Sequence, residues 1–160
     1  MDLKSIGVNK TVKKSSFDTT LNIVGILVLI GMSLYLMIHW SSLPDQVPMH
    51  YDLNGEIDRW GTKAELLLLP AAAWIMYLFL SIIEHFPGIW NTGIEVTTSN
   101  KEQVYALLHH CISTLKLLVT LLIAGMAIMI QSLPSWFLPL MTLIMIMNIG
   151  YWFLRLWKIR

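Results

Sequence analysis

The sequence predicts an all-α integral membrane protein: four transmembrane helices with an ordered extracytoplasmic loop between the first and the second. Three observations lead there. Hydrophobic residues make up 56% of the chain and charged residues 13%, against about 25% charged residues in an average soluble domain. The apolar residues are gathered into four blocks, each long enough to cross a hydrocarbon layer of about 30 Å as a helix rising about 1.5 Å per residue. The basic residues between the blocks fall mostly on one side, as a multi-pass protein requires. A net charge of +1 gives no basis for nucleic acid binding. The single cysteine, Cys111, excludes an internal disulfide and a cysteine metal cluster.

Residues 1–20 are polar and carry Lys4, Lys10, Lys13 and Lys14, the composition of a disordered cytoplasmic tail. Residues 21–160 form the membrane domain. The first span covers residues 21–40, which hold no formally charged side chain. It is long enough to cross and lacks a small-x-small cleavage pattern, so it does not read as a cleavable signal peptide. Residues 41–63 form a polar loop. The second span covers 64–85, opened by Glu65 and closed by Glu84 and His85, with Pro70 one turn in. In the second loop Pro87-Gly88 marks a turn, and Asn100 followed by Gln103 resembles a capping box, so the third helix is expected to start at Lys101. That helix is longer than a bilayer needs, which places its span at 112–130. Leu133-Pro134-Ser135 is a tight connection to the fourth span, 136–154.

Orientation follows from the basic residues. The four tail lysines, Lys101, Arg155, Lys158 and Arg160 lie on one side, against Arg59 and Lys63 on the other. The positive-inside rule then puts both termini in the cytoplasm and the 41–63 loop outside. The expected location is a cell membrane, crossed four times.

That loop holds the densest information. Pro44, Pro48, Asn54-Gly55 and Gly61 specify turns rather than a helix or a long strand. Tyr51, Leu53, Ile57 and Trp60 are too apolar for a linker, so the loop is expected to fold as a cap on the outer helix ends, with Tyr51 and Trp60 at the membrane interface. His50 and Asp58 are expected on the same side of the Asn54-Gly55 reversal, close enough to hydrogen-bond, and Asp58 near Arg59 or Lys63 as an ion pair. His50, Asp52, Glu56 and Asp58 do not have zinc or calcium spacing, so no metal is expected.

Within the spans, Lys116 is the one basic residue in an apolar helix and a candidate for function. The reading preferred from its position is that it snorkels to the cytoplasmic edge. Glu84, at the same level, is its expected partner if it does not. His109 and His110 point about 100° apart on a helix and read as interfacial side chains rather than as joint ligands. No nucleophile–base set, metalloprotease motif or phosphate loop is present, so the chain is not expected to be an enzyme or to carry a cofactor.

Leu43-Pro44-Asp45-Gln46-Val47-Pro48-Met49-His50, followed by Asn54-Gly55, Asp58, Trp60 and Lys63, resembles the signature of a bacterial membrane domain of unknown function that also forms the N-terminal part of the SdpI immunity protein. The likeness extends over much of residues 21–130 through Asn91, Asn100, Tyr105 and Leu115-Lys116, and is nearest to the small stand-alone members. No Gly-Ile-Arg-Thr-Pro-Trp-like motif of the second SdpI half is present. The resemblance implies a non-enzymatic membrane protein that meets a peptide toxin, lipid or membrane protein partner through the loop, with Pro48, His50, Asn54, Gly55, Asp58, Trp60 and Lys63 as binding residues. Two other classes follow from the residues. A small transporter component would use Glu84, Lys116 and Asn148 as a polar path. A membrane enzyme acting on a lipid or cell-wall precursor would use His50 and Asp58 as acid and base.

Overall fold

The computed structural model describes residues 15–52 and 56–159. Four helices dominate: α1 (Ser16–His39), α2 (Leu68–His85), α3 (Lys101–Ile128) and α4 (Phe137–Trp157). Each is long and apolar enough to cross a membrane. Two strands, β1 (Gln46–Tyr51) and β2 (Ile57–Thr62), lie between α1 and α2.

α1 starts at Ser16, not at Leu21. Ser15 and Asp18 close a capping box: Ser15 Oγ accepts from the Asp18 backbone N–H, and Asp18 Oδ2 accepts from the Ser15 backbone N–H. Two of the otherwise orphaned amides of a helix start are thereby satisfied. The expected tail therefore gives up residues 16–20 to the helix; residues 1–14 lie outside the described part. At its far end α1 passes into a short turn, Trp40–Ser42, and Pro44 prevents the helix from continuing.

The loop after α1 is an antiparallel hairpin rather than a run of turns. Val47, Tyr51, Ile57, Trp60 and Thr62 are β-branched or aromatic, which suits a pleated ribbon. Pro48 is tolerated because both strands of a two-stranded ribbon are edges. Gln46 pairs with Thr62 and Tyr51 with Ile57, with irregular register around His50. The Leu53, Asn54 and Gly55 positions expected to reverse the chain lie outside the described residues.

α2 follows a short turn, Glu65–Leu67, so Pro70 sits in its first turn, where a proline needs no hydrogen-bonding N–H. α3 begins at Lys101 as expected, but without the capping box. Asn100 turns its side chain backward instead, accepting from Thr97 N and donating to the Glu95 carbonyl.

α3 is the central helix, packed against α1, α2 and α4, while α1 and α2 touch little. Leu29, Met32 and Leu36 of α1, Ala73 and Tyr77 of α2, and Ala124 and Ala127 of α3 form one core, which reaches up to Leu43 and Val47 under the hairpin. Small residues on α2 and α3 let the backbones approach, as membrane helices do without a hydrophobic drive between them. Gly25 serves the same end: a Cβ there would stand 2.8 Å from the Tyr77 ring. A second core at the opposite end joins Val104 and Leu107 of α3 to Trp152 and Leu156 of α4. The outward faces carry Leu27, Met37, Ile38, Ile75, Ile146 and Met147, all exposed. In water that much apolar surface would drive aggregation; against lipid tails it is the expected exterior.

Candidate functional site

Two polar constellations stand out, one at each end of the bundle. The first is the hairpin. Its inner side is fixed: Val47 is fully buried, Pro48 is buried beside it, and the Tyr51 hydroxyl donates to the Ile130 carbonyl at the end of α3, 3.0 Å away. Lys63 closes the base of the ribbon, its backbone N–H on the Asp45 carbonyl and its ammonium 3.1 Å from the Asp45 carboxylate. Glu65 caps the end of β2 by accepting from Thr62 N and from the Arg59 guanidinium.

The outer side is exposed. His50 Nδ1 lies 2.6 Å from Asp58 Oδ1 across the two strands, beside the irregular register. Trp60 is 55% exposed, and Ile57 at the start of β2 is exposed as well. The Asp58 pairing with Arg59 or Lys63 expected from sequence spacing does not form. Strand pairing places Lys63 opposite Asp45 and turns Arg59 toward Glu65, which leaves Asp58 for His50. The Tyr51 hydroxyl is drawn inward to Ile130.

The second constellation is buried. Lys116 Nζ lies 2.7 Å from Glu84 Oε2 and donates to Ser81 Oγ, and the two residues are 2% and 3% exposed. Lys116 therefore does not snorkel; it turns inward between α2 and α3, where its ammonium also lies over the Tyr77 ring. A charge in so dry a place is tolerable only when paired and hydrogen-bonded. Ser113 Oγ donates to Glu84 Oε1 at 2.9 Å and stands 3.4 Å from His109 Nδ1. His109 Nδ1 is in turn 3.3 Å from Asp18 Oδ2, and His110 Nδ1 is 2.7 Å from Asp18 Oδ1. The chain of polar groups thus runs Lys116, Glu84, Ser113, His109, Asp18, His110.

His109 is not an interfacial side chain but a buried one, 1% exposed. The two histidines do diverge around the helix, yet one carboxylate serves both because its two oxygens face different ways. Asp18 is the residue that sequence reasoning missed, having placed it in a disordered tail. Ser15-x-x-Asp18 ahead of an apolar run was the available signal. Asn148, the third path candidate, belongs to a side branch: its Oδ1 accepts from Thr114 Oγ1, which also accepts from the Trp152 indole. Near the inner end of the chain, the Asn22 side-chain oxygen is buried without a hydrogen-bond partner among the described residues.

Among the described residues no group of three histidines, cysteines or carboxylates has a metal-holding arrangement. The class of protein these features define is a multi-pass membrane protein. Residues 27–74 match a family described as "Domain of unknown function (DUF1648)". The matched residues take in the second half of α1, the hairpin and the start of α2, and stop short of Glu84 and Lys116. A relative from Archaeoglobus fulgidus, described as an uncharacterized protein, is 41% identical over 63 residues, which is 39% of this chain and 33% of the relative. The chain thus spans about a third of that relative's length. No solved structure matches.

Proposed function

We propose that this chain is a non-enzymatic, SdpI-like membrane protein whose hairpin faces the outside of the cell and binds an extended cationic peptide there, with toxin immunity as its role. The observation that carries this reading is the two-sidedness of the hairpin. Val47 and Tyr51 fix it to the helix ends, while β2 offers Ile57 and Trp60 to solvent. A rigid exposed aromatic is the residue type that anchors a bound partner at low entropic cost. The ribbon also has free strand edges, which an extended peptide can extend by main-chain hydrogen bonds. Asp45, Asp52, Glu56 and Asp58 outnumber Arg59 and Lys63, so the charge favours a basic peptide. The test is a strain lacking the chain, challenged with secreted cationic peptide toxins. The wild-type chain restores survival, and His50→Ala and Asp58→Ala do not, although both proteins insert at normal abundance. Full protection by both variants contradicts the reading.

A second reading, a small transporter component, has one observation in its favour: the buried chain from Asp18 to Lys116. That chain reaches only part of the way across. Beyond Thr120, whose hydroxyl bonds back to the Lys116 carbonyl, Ala124 and Ala127 of α3 and Ile130 just after it join an apolar core with Leu29, Met32 and Leu36. A path for ions or solutes requires polar groups through that layer. His50 and Asp58 have the separation of an acid–base pair, but both stand at the exposed surface of the hairpin rather than in an enclosed cleft.

A further inference from the structure

We propose that the end of the bundle opposite the hairpin holds a binding pocket for a phosphate-bearing anion, supplied by an anionic phospholipid headgroup. A cavity of about 480 Å³ lies between the first turns of α3 and the last turns of α4. Its polar wall consists of Gln103 and His110 from α3, Tyr151 and Arg155 from α4 and Lys158 just after it, and among the described residues no carboxylate lines it. Asp18, the nearest acid the structure shows, is engaged with His110 from behind the wall, so Arg155 and Lys158 give the cavity a positive field that favours an anion.

The donors are arranged for such a ligand. Arg155 Nη1 donates to the Tyr151 hydroxyl at 3.2 Å, which holds the guanidinium in place and leaves its other N–H groups for a planar or tetrahedral anion. Lys158 adds a point charge one turn on. His110 Nδ1 is held by Asp18 Oδ1, 2.7 Å away, which fixes the ring in the cavity wall. The Trp152 ring, 5.7 Å from the His110 ring, forms an apolar wall.

The position favours a lipid source. α4 is of spanning length and these groups occupy its last turns, where headgroups lie. Basic pockets between transmembrane helices at that level bind anionic headgroups, and indole and phenol rings prefer the same depth. The pocket is independent of the hairpin and of the peptide-binding reading.

The test uses the full chain, purified in detergent and stripped of lipid, with native mass spectrometry as readout. Phosphatidylglycerol and phosphatidylcholine of equal chain length are added in turn. The expected result is a preference of about tenfold for phosphatidylglycerol, reduced to near parity in R155Q/K158Q, while K101Q, which removes a nearby charge outside the pocket, changes it less than twofold. Inorganic phosphate in the millimolar range is a further arm. If it fails to displace phosphatidylglycerol, the lipid is the ligand; if it displaces the lipid, the pocket takes the phosphate group itself from either source. Equal binding of the two lipids by the wild-type chain overturns the proposal, and so does an unchanged preference in R155Q/K158Q. The wild-type comparison stands even if a variant fails to fold.

Discussion

Lys116 and Glu84 meet 2.7 Å apart with both side chains closed to solvent, so the one basic residue in the middle of an apolar helix is a structural cross-link between α3 and α2. Its consequences differ from those of a lysine reaching the interface. Removing one partner leaves the other charge buried and unpaired, a loss of about 3–5 kcal/mol in globular proteins, whereas replacing both with apolar residues is often neutral. Lys116→Met and Glu84→Met are each expected to lower the detergent-solubilised unfolding temperature, and Lys116→Met/Glu84→Met to recover much of the loss. Additive losses in that double-mutant cycle would show that the two residues act separately.

Asp18 carries two duties, capping α1 and holding both histidines of α3. Ser15→Ala removes only the cap and should cost about 1 kcal/mol. Asp18→Ala removes the cap and the contacts to His109 and His110. It should therefore destabilise the protein more than Ser15→Ala in the same thermal assay. Equal effects from the two variants would mean that the histidine contacts contribute nothing.

Gly61 is required at the base of the hairpin for a steric reason. A Cβ there would lie 2.6 Å from Met49 Cγ and 2.8 Å from Glu65 Oε1. Gly61→Ala must displace the Glu65 cap of β2, an overpacking cost of about 1–3 kcal/mol. Proteolysis of the hairpin in intact cells should accelerate severalfold. Gly31→Ala, where a Cβ meets nothing within 4 Å, should leave the rate unchanged.

Sidedness is tested by labelling. With Cys111 replaced by Ala, a cysteine at Glu56 on the hairpin should react with a membrane-impermeant thiol reagent in intact cells, and one at Thr98 in the α2–α3 loop should not. Both positions are exposed, so access alone decides the outcome. The reverse pattern would place the hairpin in the cytoplasm.

The helices were legible because hydrophobic length is a one-dimensional signal, and Pro44, Pro134 and the basic residues at the ends punctuate it. The hairpin was not, since Pro48 and Asn54-Gly55 read as turns, and the pairing of Val47 with Gly61 is a contact between residues that no local pattern links. The His50–Asp58 bond was legible because the expected reversal between them brings the two residues together. The buried chain was only half legible. Glu84 and Lys116 were identified as partners, but the helix start was drawn where the last charge ended. That excluded Asp18 from the bundle, and a third span drawn at 112–130 put Lys116 four residues from its edge. Once α1 begins at Ser16, the same end of the bundle gains another turn of cover, and the lysine lies inside.

The central claim is that the exposed face of β2 is where a peptide partner sits. The most direct measurement places a photo-crosslinking benzoylphenylalanine at Trp60, and separately at the outward-facing Leu143 of α4, in cells exposed to a secreted cationic peptide toxin. The account predicts a discrete adduct of peptide mass from position 60 and none from position 143, with the adduct lost in His50→Ala. No adduct at position 60, or the same adduct from both positions, would contradict it.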